Sequence, residues 1–180
     1  LSFMIFMGGK DGAYGRNRVA AEWGKKLGEL RKGDSGGYEH KVTIYPQHGH
    51  WMNGDDREAL PWMSARTRDP WPKKIVWHQS GRTHERFYWL AVPRGSAKGG
   101  QTVEAEVRGQ EIVISAGGRK ELILRLNDRL LDLDQAMVVK VDGVEVFRGK
   151  VERRAQAIWD SLQQRPDVTS AATAVLHLKF

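Results

Sequence analysis

Two side chains in this sequence have the types and spacing for acid–base chemistry. Asp11 follows the apolar run Phe3-Met4-Ile5-Phe6-Met7 and the turn pair Gly8-Gly9, while His50 lies in the stretch Lys41-Val42-Thr43-Ile44-Tyr45-Pro46-Gln47-His48-Gly49-His50-Trp51-Met52. A histidine serves as general base when a carboxylate fixes its tautomer and stabilises the imidazolium, and when a nucleophile stands within reach of its other nitrogen. Asp11 and His50 meet the first requirement. The plainer alternative is that Asp11 accepts amide hydrogen bonds in a turn and His50 is an ordinary loop residue.

The elements around the pair give the chemical reading its force. A continuous apolar run of strand length, Phe3 to Met7, is what a parallel strand buried on both faces looks like. Val42 and Ile44 alternate with Thr43 and Tyr45 until Pro46 ends a second strand. Between them Val19, Trp23, Leu27 and Leu30 recur at helical spacing, with Arg16, Arg18, Glu22, Lys25, Lys26 and Glu29 left for the opposite face. Strand, acid, helix, strand and histidine therefore follow in the order of a βαβ unit, which puts Asp11 and His50 at the same edge of neighbouring strands. Beyond His50, Asp55 is expected as a helix N-cap with Glu58 three residues on, followed by a short helix with Pro61 at its first position.

An acid after one strand, a Tyr-Pro-x-x-Gly-His loop after the next, and then Trp51-Met52 resemble the C-terminal end of an α/β-hydrolase, particularly its prolyl-oligopeptidase and dienelactone-hydrolase-like branch. The resemblance covers residues 1 to 66. It implies Asp11 as triad acid, His50 as base, Trp51 and Met52 at the wall of a substrate site, and hydrolysis of an ester or peptide through an acyl-enzyme. It implies no cofactor. In that family the order is Ser, then acid, then His, and no serine here matches the nucleophile. Gly33-Asp34-Ser35-Gly36-Gly37 fits Gly-x-Ser-x-Gly letter for letter, but the motif needs a strand before it and a helix after it. Here a helix precedes and a strand follows, so Ser35 is expected in an ordinary connection.

Other constellations are weaker. His48-x-His50 lacks the third ligand that a zinc site needs, so no metal is expected. His78 and His84, among Trp77, Phe87, Tyr88 and Trp89, offer either a ligand-stacking surface or simply core rings. Residues 71 to 100 hold Lys73, Lys74, Arg82, Arg86, Arg94 and Lys98 against the single acid Glu85, and account for most of the net charge of +7. Such a stripe steers polyanions or is a solvated face, and no nucleic-acid motif accompanies it.

The 180 residues suffice for one ordinary domain or two small ones, and no apolar run approaches a membrane span. Cysteine is absent, which excludes disulfide and thiolate chemistry and leaves the compartment open. Because the first apolar strand calls for neighbours, the expected partner is an upstream part of the same protein or a second copy of the chain.

Arg68-Asp69-Pro70-Trp71-Pro72 reads as a stiff boundary, a linker over 67–72. After it short alternating strands dominate: 74–78, 86–92, 103–107, 112–114 and 122–126, then a hairpin at Asp142-Gly143. One helix along Val151, Ala155, Ile158 and Leu162 interrupts them before a closing strand over 174–178. The expected fold class is thus α/β plus all-β, with a hydrolase-like fragment over 1–66 and an antiparallel β-sandwich with one helix over 73–180. Some of the rings between 71 and 89 are expected to pack on the helix bearing Trp62 and Met63. The competing functional reading is a non-catalytic binding module attached to an inactive hydrolase remnant.

Overall fold

The apolar run at the start forms strand β1 (Phe3–Gly8) in the computed structural model, which describes residues 2–180. The chain divides into two compact units, residues 1–68 and 69–180. It is a mixed α/β protein, with eleven strands in three sheets among the described residues. None of its described helices is long and apolar enough to cross a membrane.

In the first unit β1 pairs in parallel with β2 (His40–Tyr45), from Phe3 opposite His40 to Gly8 opposite Tyr45. The crossover is helix α1 (Arg16–Gly33). Gly24 sets how closely the helix lies on the sheet, since a Cβ there would stand 3.2 Å from Val42 Cγ2. The expected burial of β1 on both faces is not met: its only buried residue is Gly8, and Phe3 is 52% exposed. Likewise α1 buries Ala20 and Leu27 but leaves Val19, Trp23 and Leu30 exposed. Two strands give a helix too narrow a platform to cover its apolar face. A groove of about 340 Å³ lined by Phe3, Ile5, Trp23, Leu27 and Tyr38 remains open.

Helix α2 (Ala59–Ser64) follows a 3-10 turn at Asp55–Glu58. Pro61 is its third residue rather than its first, still within the turn whose N–H groups have no intrahelical acceptor. Asp55 does not cap it by a side-chain bond, because both acids of the expected capping box are used elsewhere: Asp55 pairs with His48 and Glu58 with Lys41. Arg66 stacks on Trp62 at 3.4 Å and donates to Glu39 Oε1 at 2.5 Å and Oε2 at 3.1 Å.

The second unit contains strands β3 (Lys74–His78), β4 (Arg86–Phe87), β5 (Leu90–Ala91), β6 (Thr102–Arg108), β7 (Glu111–Ser115), β8 (Glu121–Leu126), β9 (Met137–Val141), β10 (Val144–Gly149) and β11 (Ala174–Lys179), with helix α3 (Ala155–Gln164) before the last. They form a five-stranded sheet ordered β10-β9-β7-β6-β3 and a four-stranded sheet ordered β11-β8-β5-β4. Alternation places Val103, Ala105 and Val107 of one sheet in the same core as Leu122, Leu124 and Leu126 of the other. Each fully buried Leu or Ile stabilises by about 1.5–3 kcal/mol over its exposed state. The sheets are not wholly antiparallel. The chain leaves β7 for the other sheet, forms β8, and returns as β9 parallel to β7.

Three expectations for this unit need correction. Residues 69–72 are not a free linker: Pro70 and Trp71 are buried, and Trp71 Nε1 donates to Thr169 O at 2.8 Å. The expected strand over 86–92 is a tight hairpin, because Tyr88 adopts φ 53° and Phe87 pairs with Leu90. The turn buries Trp89 completely and lets its Nε1 donate to Pro72 O. Finally, α3 begins four residues later than expected, since Val151 enters the sandwich core and Arg153 is held extended between Asp128 and Asp134. Trp71, Trp77 and Trp89 all belong to this unit's own core, with Phe87 and Tyr88 packed against it.

Two measurements probe these packings. Buried Ser161 Oγ accepts from Arg125 Nη2 at 2.8 Å and from Ala172 N at 3.0 Å, and donates to Ala157 O. Burial pushes the Arg125 guanidinium down to about 10, so its partners matter. Ser161→Ala is expected to lower the unfolding free energy by about 2 kcal/mol, because two buried donors lose their acceptor; a change under about 0.5 kcal/mol in urea unfolding would refute that role. In the first unit the hydrogen bonds of Arg66, then that of Ser2, hold the Glu39 carboxyl down to about 2 from an ordinary 4.5. A depressed carboxyl pKa stabilises the fold above the ordinary value and ceases to do so as pH falls through the folded value. Glu39→Gln should therefore be less stable than the parent at neutral pH, with the gap closing between pH 4.5 and about 2. A gap that stays constant on acidification would contradict the assignment.

Candidate active site

Because β1 and β2 run in parallel, the loops that leave their C-terminal ends lie side by side. The backbone of one threads directly against the other. Gly9 N donates to Tyr45 O at 2.7 Å and Lys10 N to His48 O at 2.9 Å. At this contact glycine is a steric requirement. A Cβ on Gly8 would lie 1.9 Å from Gly49 O, and one on Gly9 would lie 2.7 Å from Pro46 Cα. Asn17, in the first turn of α1, locks the turn by donating from Nδ2 to Gly9 O at 2.8 Å.

This crossing brings Asp11 and His50 together. His50 Nδ1 lies 2.8 Å from Asp11 Oδ2, the Asp11 side chain is 4% exposed, and that of His50 is 59% exposed. The carboxylate fixes the tautomer with the proton on Nδ1, which leaves Nε2 as the basic nitrogen. The hydrogen bond from His50 is the largest influence holding the Asp11 carboxyl below its usual range; burial opposes it, and Arg16 assists. Arg16 Nη1 stands 3.4 Å from Asp11 Oδ1 and 3.4 Å from His50 Nδ1. Since Nδ1 has given its proton to the bond with Asp11, the Arg16 approach to it is a charge–dipole contact, and its hydrogen bond is the one to the carboxylate.

A second pair supports the loop from behind. His48 Nε2 is 2.9 Å from Asp55 Oδ2, and its ring lies 5.2 Å from that of Tyr45. The Tyr45 hydroxyl sits 3.0 Å from Glu58 Oε1 and 3.1 Å from Asp55 O; burial and then the Glu58 carboxylate push its phenol above the ordinary range. His48 and His50 are thus engaged with different acids. Among the described residues no cluster of three or more metal-ligating side chains forms.

The other residues singled out in the sequence fall as follows. Trp51 is 83% exposed and meets the His50 ring edge-on at 5.4 Å, while Met52 is half-buried. Ser35 lies in the connection before β2, at the end of the strand opposite to His50. Six residues of strand separate the two ends by roughly 20 Å, which removes Ser35 as a nucleophile for this histidine. Trp77 and Trp89 are buried and offer no stacking surface. In the basic stretch, Lys73 Nζ donates to Leu130 O and Arg86 to Tyr88 O and Ser170 O, so those cations are tied to the fold.

Sequence reasoning missed Arg16, which it assigned to the outer face of α1, and missed the steric role of Gly8 and Gly9. Arg16 stands five residues after the acid at a helix start, which is a readable signal. The glycine contact depends on the opposing loop and has no local signature.

Gly8→Ala is expected to separate the two loops and break the Asp11–His50 bond, since the clash is with backbone that cannot rotate away. The check is the Hδ1 proton of His50 by NMR: a strongly downfield, slowly exchanging signal in the parent and its loss in the variant. Persistence of that signal in Gly8→Ala would show that the loops tolerate the added carbon.

No family model matches this chain, and neither does any curated protein or solved structure.

Proposed function

We propose that the first unit is the acid and base end of a serine-hydrolase triad in an α/β-hydrolase-like arrangement, cleaving an ester or peptide through an acyl-enzyme. The observation that carries this reading is the 2.8 Å bond from His50 Nδ1 to a buried Asp11, with the His50 side chain 59% exposed. His50 Nε2 would take the proton of the attacking hydroxyl and return it to the leaving group, and Asp11 would hold the tautomer and stabilise the imidazolium. Trp51, against the ring, and Met52 next to it would border the substrate.

Among the described residues the ring's hydrogen bond is to Asp11, with Arg16 in contact on the same Nδ1 side, and no hydroxyl bonds to the ring. The nucleophile is therefore assigned to polypeptide outside these 180 residues. The open apolar groove and the uncovered residues of β1 support the same reading, because a further parallel strand beside β1 would cover them and extend the sheet.

One observation favours the alternative, a non-catalytic module on an inactive remnant. A guanidinium 3.4 Å from Nδ1 opposes the positive charge that His50 must acquire in the transition state.

The chain by itself is expected to hydrolyse p-nitrophenyl acetate no faster than background and to resist labelling by a fluorophosphonate probe; stoichiometric labelling at Ser35 would overturn the assignment of the nucleophile. Joined to a strand–Ser–helix segment that completes the triad, Asp11→Asn and His50→Ala should each reduce turnover by roughly three to four orders of magnitude. Near-normal turnover in both variants would favour the alternative.

A further inference from the structure

Away from the His50 site, the second unit contains a cavity of about 260 Å³ between the loop over 93–101 and the turn that leads into β8. Its wall is basic. Lys98, Arg119 and Lys120 line it, with Glu121 as the acid, and Glu121 is bound to Lys179 at 3.1 Å. Arg119 is 8% exposed, and burial holds its guanidinium below the ordinary range. Among the described residues its side-chain hydrogen bond, Nη1 to Ser96 O, is long at 3.3 Å. Among the described residues Nε and Nη2 have no partner, and neither has buried Gln101 Oε1 on the same cavity wall.

Unmet donors on a buried guanidinium are costly to keep, so their pattern is informative. Nε and Nη2 form the side edge of the guanidinium, the edge on which a carboxylate sits with two parallel N–H···O bonds. A planar carboxylate can approach that edge in plane, where a tetrahedral phosphate would bring further oxygens that need donors. Gln101 Oε1 asks for the opposite, a donor. The turn beside the cavity packs tightly on β6: Gly117 and Gly118 have φ of 59° and 81°, and a Cβ at Gly117 would lie 2.0 Å from Thr102 O. Nε and Nη2 are themselves out of contact with solvent, so a ligand reaches them by turning the Arg119 side chain toward the cavity, and the long bond to Ser96 O is the one given up in that turn.

We infer that this cavity binds a small ligand carrying a carboxylate and a neighbouring N–H, the carboxylate on the Nε and Nη2 edge of Arg119 and the N–H directed at Gln101 Oε1. An N-acylated amino acid or the C-terminal residue of a peptide has this chemistry. Lys98 and Lys120, both exposed, add attraction at the rim. The site is independent of the reading of Asp11 and His50.

N-acetylglycine supplies both groups and is the probe. Titrated into the full ¹⁵N-labelled chain at constant ionic strength, it should give a saturable downfield shift of the Arg119 Nε–Hε signal and shifts of the Gly118 and Lys120 amides. Acetate, which lacks the donor, should bind more weakly. Arg119→Lys should weaken binding roughly tenfold, because the bidentate edge is lost, and Gln101→Leu should abolish the preference for N-acetylglycine over acetate. If Arg119→Lys does not fold, the rim variant Lys98→Glu/Lys120→Glu serves instead and should weaken binding several-fold. A shift that is linear and equalled by chloride would overturn the site. Equal binding of inorganic phosphate would overturn the carboxylate assignment, as would undiminished binding in whichever variant folds.

Discussion

The first unit depends on a contact that no side chain makes. Two loops from neighbouring parallel strands pass so closely that backbone meets backbone: Gly8 lies under Gly49 O, Gly9 lies against Pro46, and amide bonds stitch Gly9 to Tyr45 and Lys10 to His48. Each residue outside this crossing has a consequence that follows from it. Asp11 is buried because the crossing closes over it, and His50 reaches Asp11 although the two are thirty-nine positions apart. Asn17 and the Tyr45, Asp55 and Glu58 group then hold one loop each, so that the pair is fixed from both sides.

The two units solve the burial problem to different extents. In the second, alternating strands of two sheets place Ile112, Leu122, Leu124, Leu126 and Val139 out of contact with solvent, and three tryptophans join them in a single core. In the first, a two-stranded sheet and one long helix leave Phe3, Val19, Trp23 and Leu30 exposed. Hydrophobic stabilisation scales with apolar area removed from water, so the second unit carries its own stability and the first keeps apolar surface in reserve. An unpaired parallel edge beside such a surface is a template for another strand.

What could be read in the sequence was whatever local pattern dictates. The run Phe3 to Met7, the alternation Val42 and Ile44, the spacing of α1 and the dipeptide Asp142-Gly143 each prescribe an element with no help from the rest of the chain; Asp142 and Gly143 indeed adopt φ of 48° and 85°. What escaped depended on partners distant in sequence. Tyr88 turns because Trp89 must reach Pro72, residues 151–154 stay outside the helix because Arg153 is held by Asp128 and Asp134, and β9 lies parallel to β7 because the chain visits the other sheet between them. The placement of Asp11 and His50 on strand ends was legible. That Arg16 joins them was readable only from its place five residues after the acid at a helix start, because the helical spacing by itself assigns it to the face away from the apolar stripe.

In the His50–Asp11 pair the acid is enclosed, with its side chain 4% exposed, and the base is open, with its side chain 59% exposed. Enclosing Asp11 removes it from competing water, which strengthens its hold on Nδ1 and fixes the ring's orientation. Leaving His50 exposed keeps Nε2 available to another molecule. The asymmetry comes at the cost of a buried carboxylate, and under the proposed reading it is what would fix the ring for proton transfer. Arg16 offsets that cost: its guanidinium stands 3.4 Å from Asp11 Oδ1 and helps hold the carboxyl ionised inside the turn.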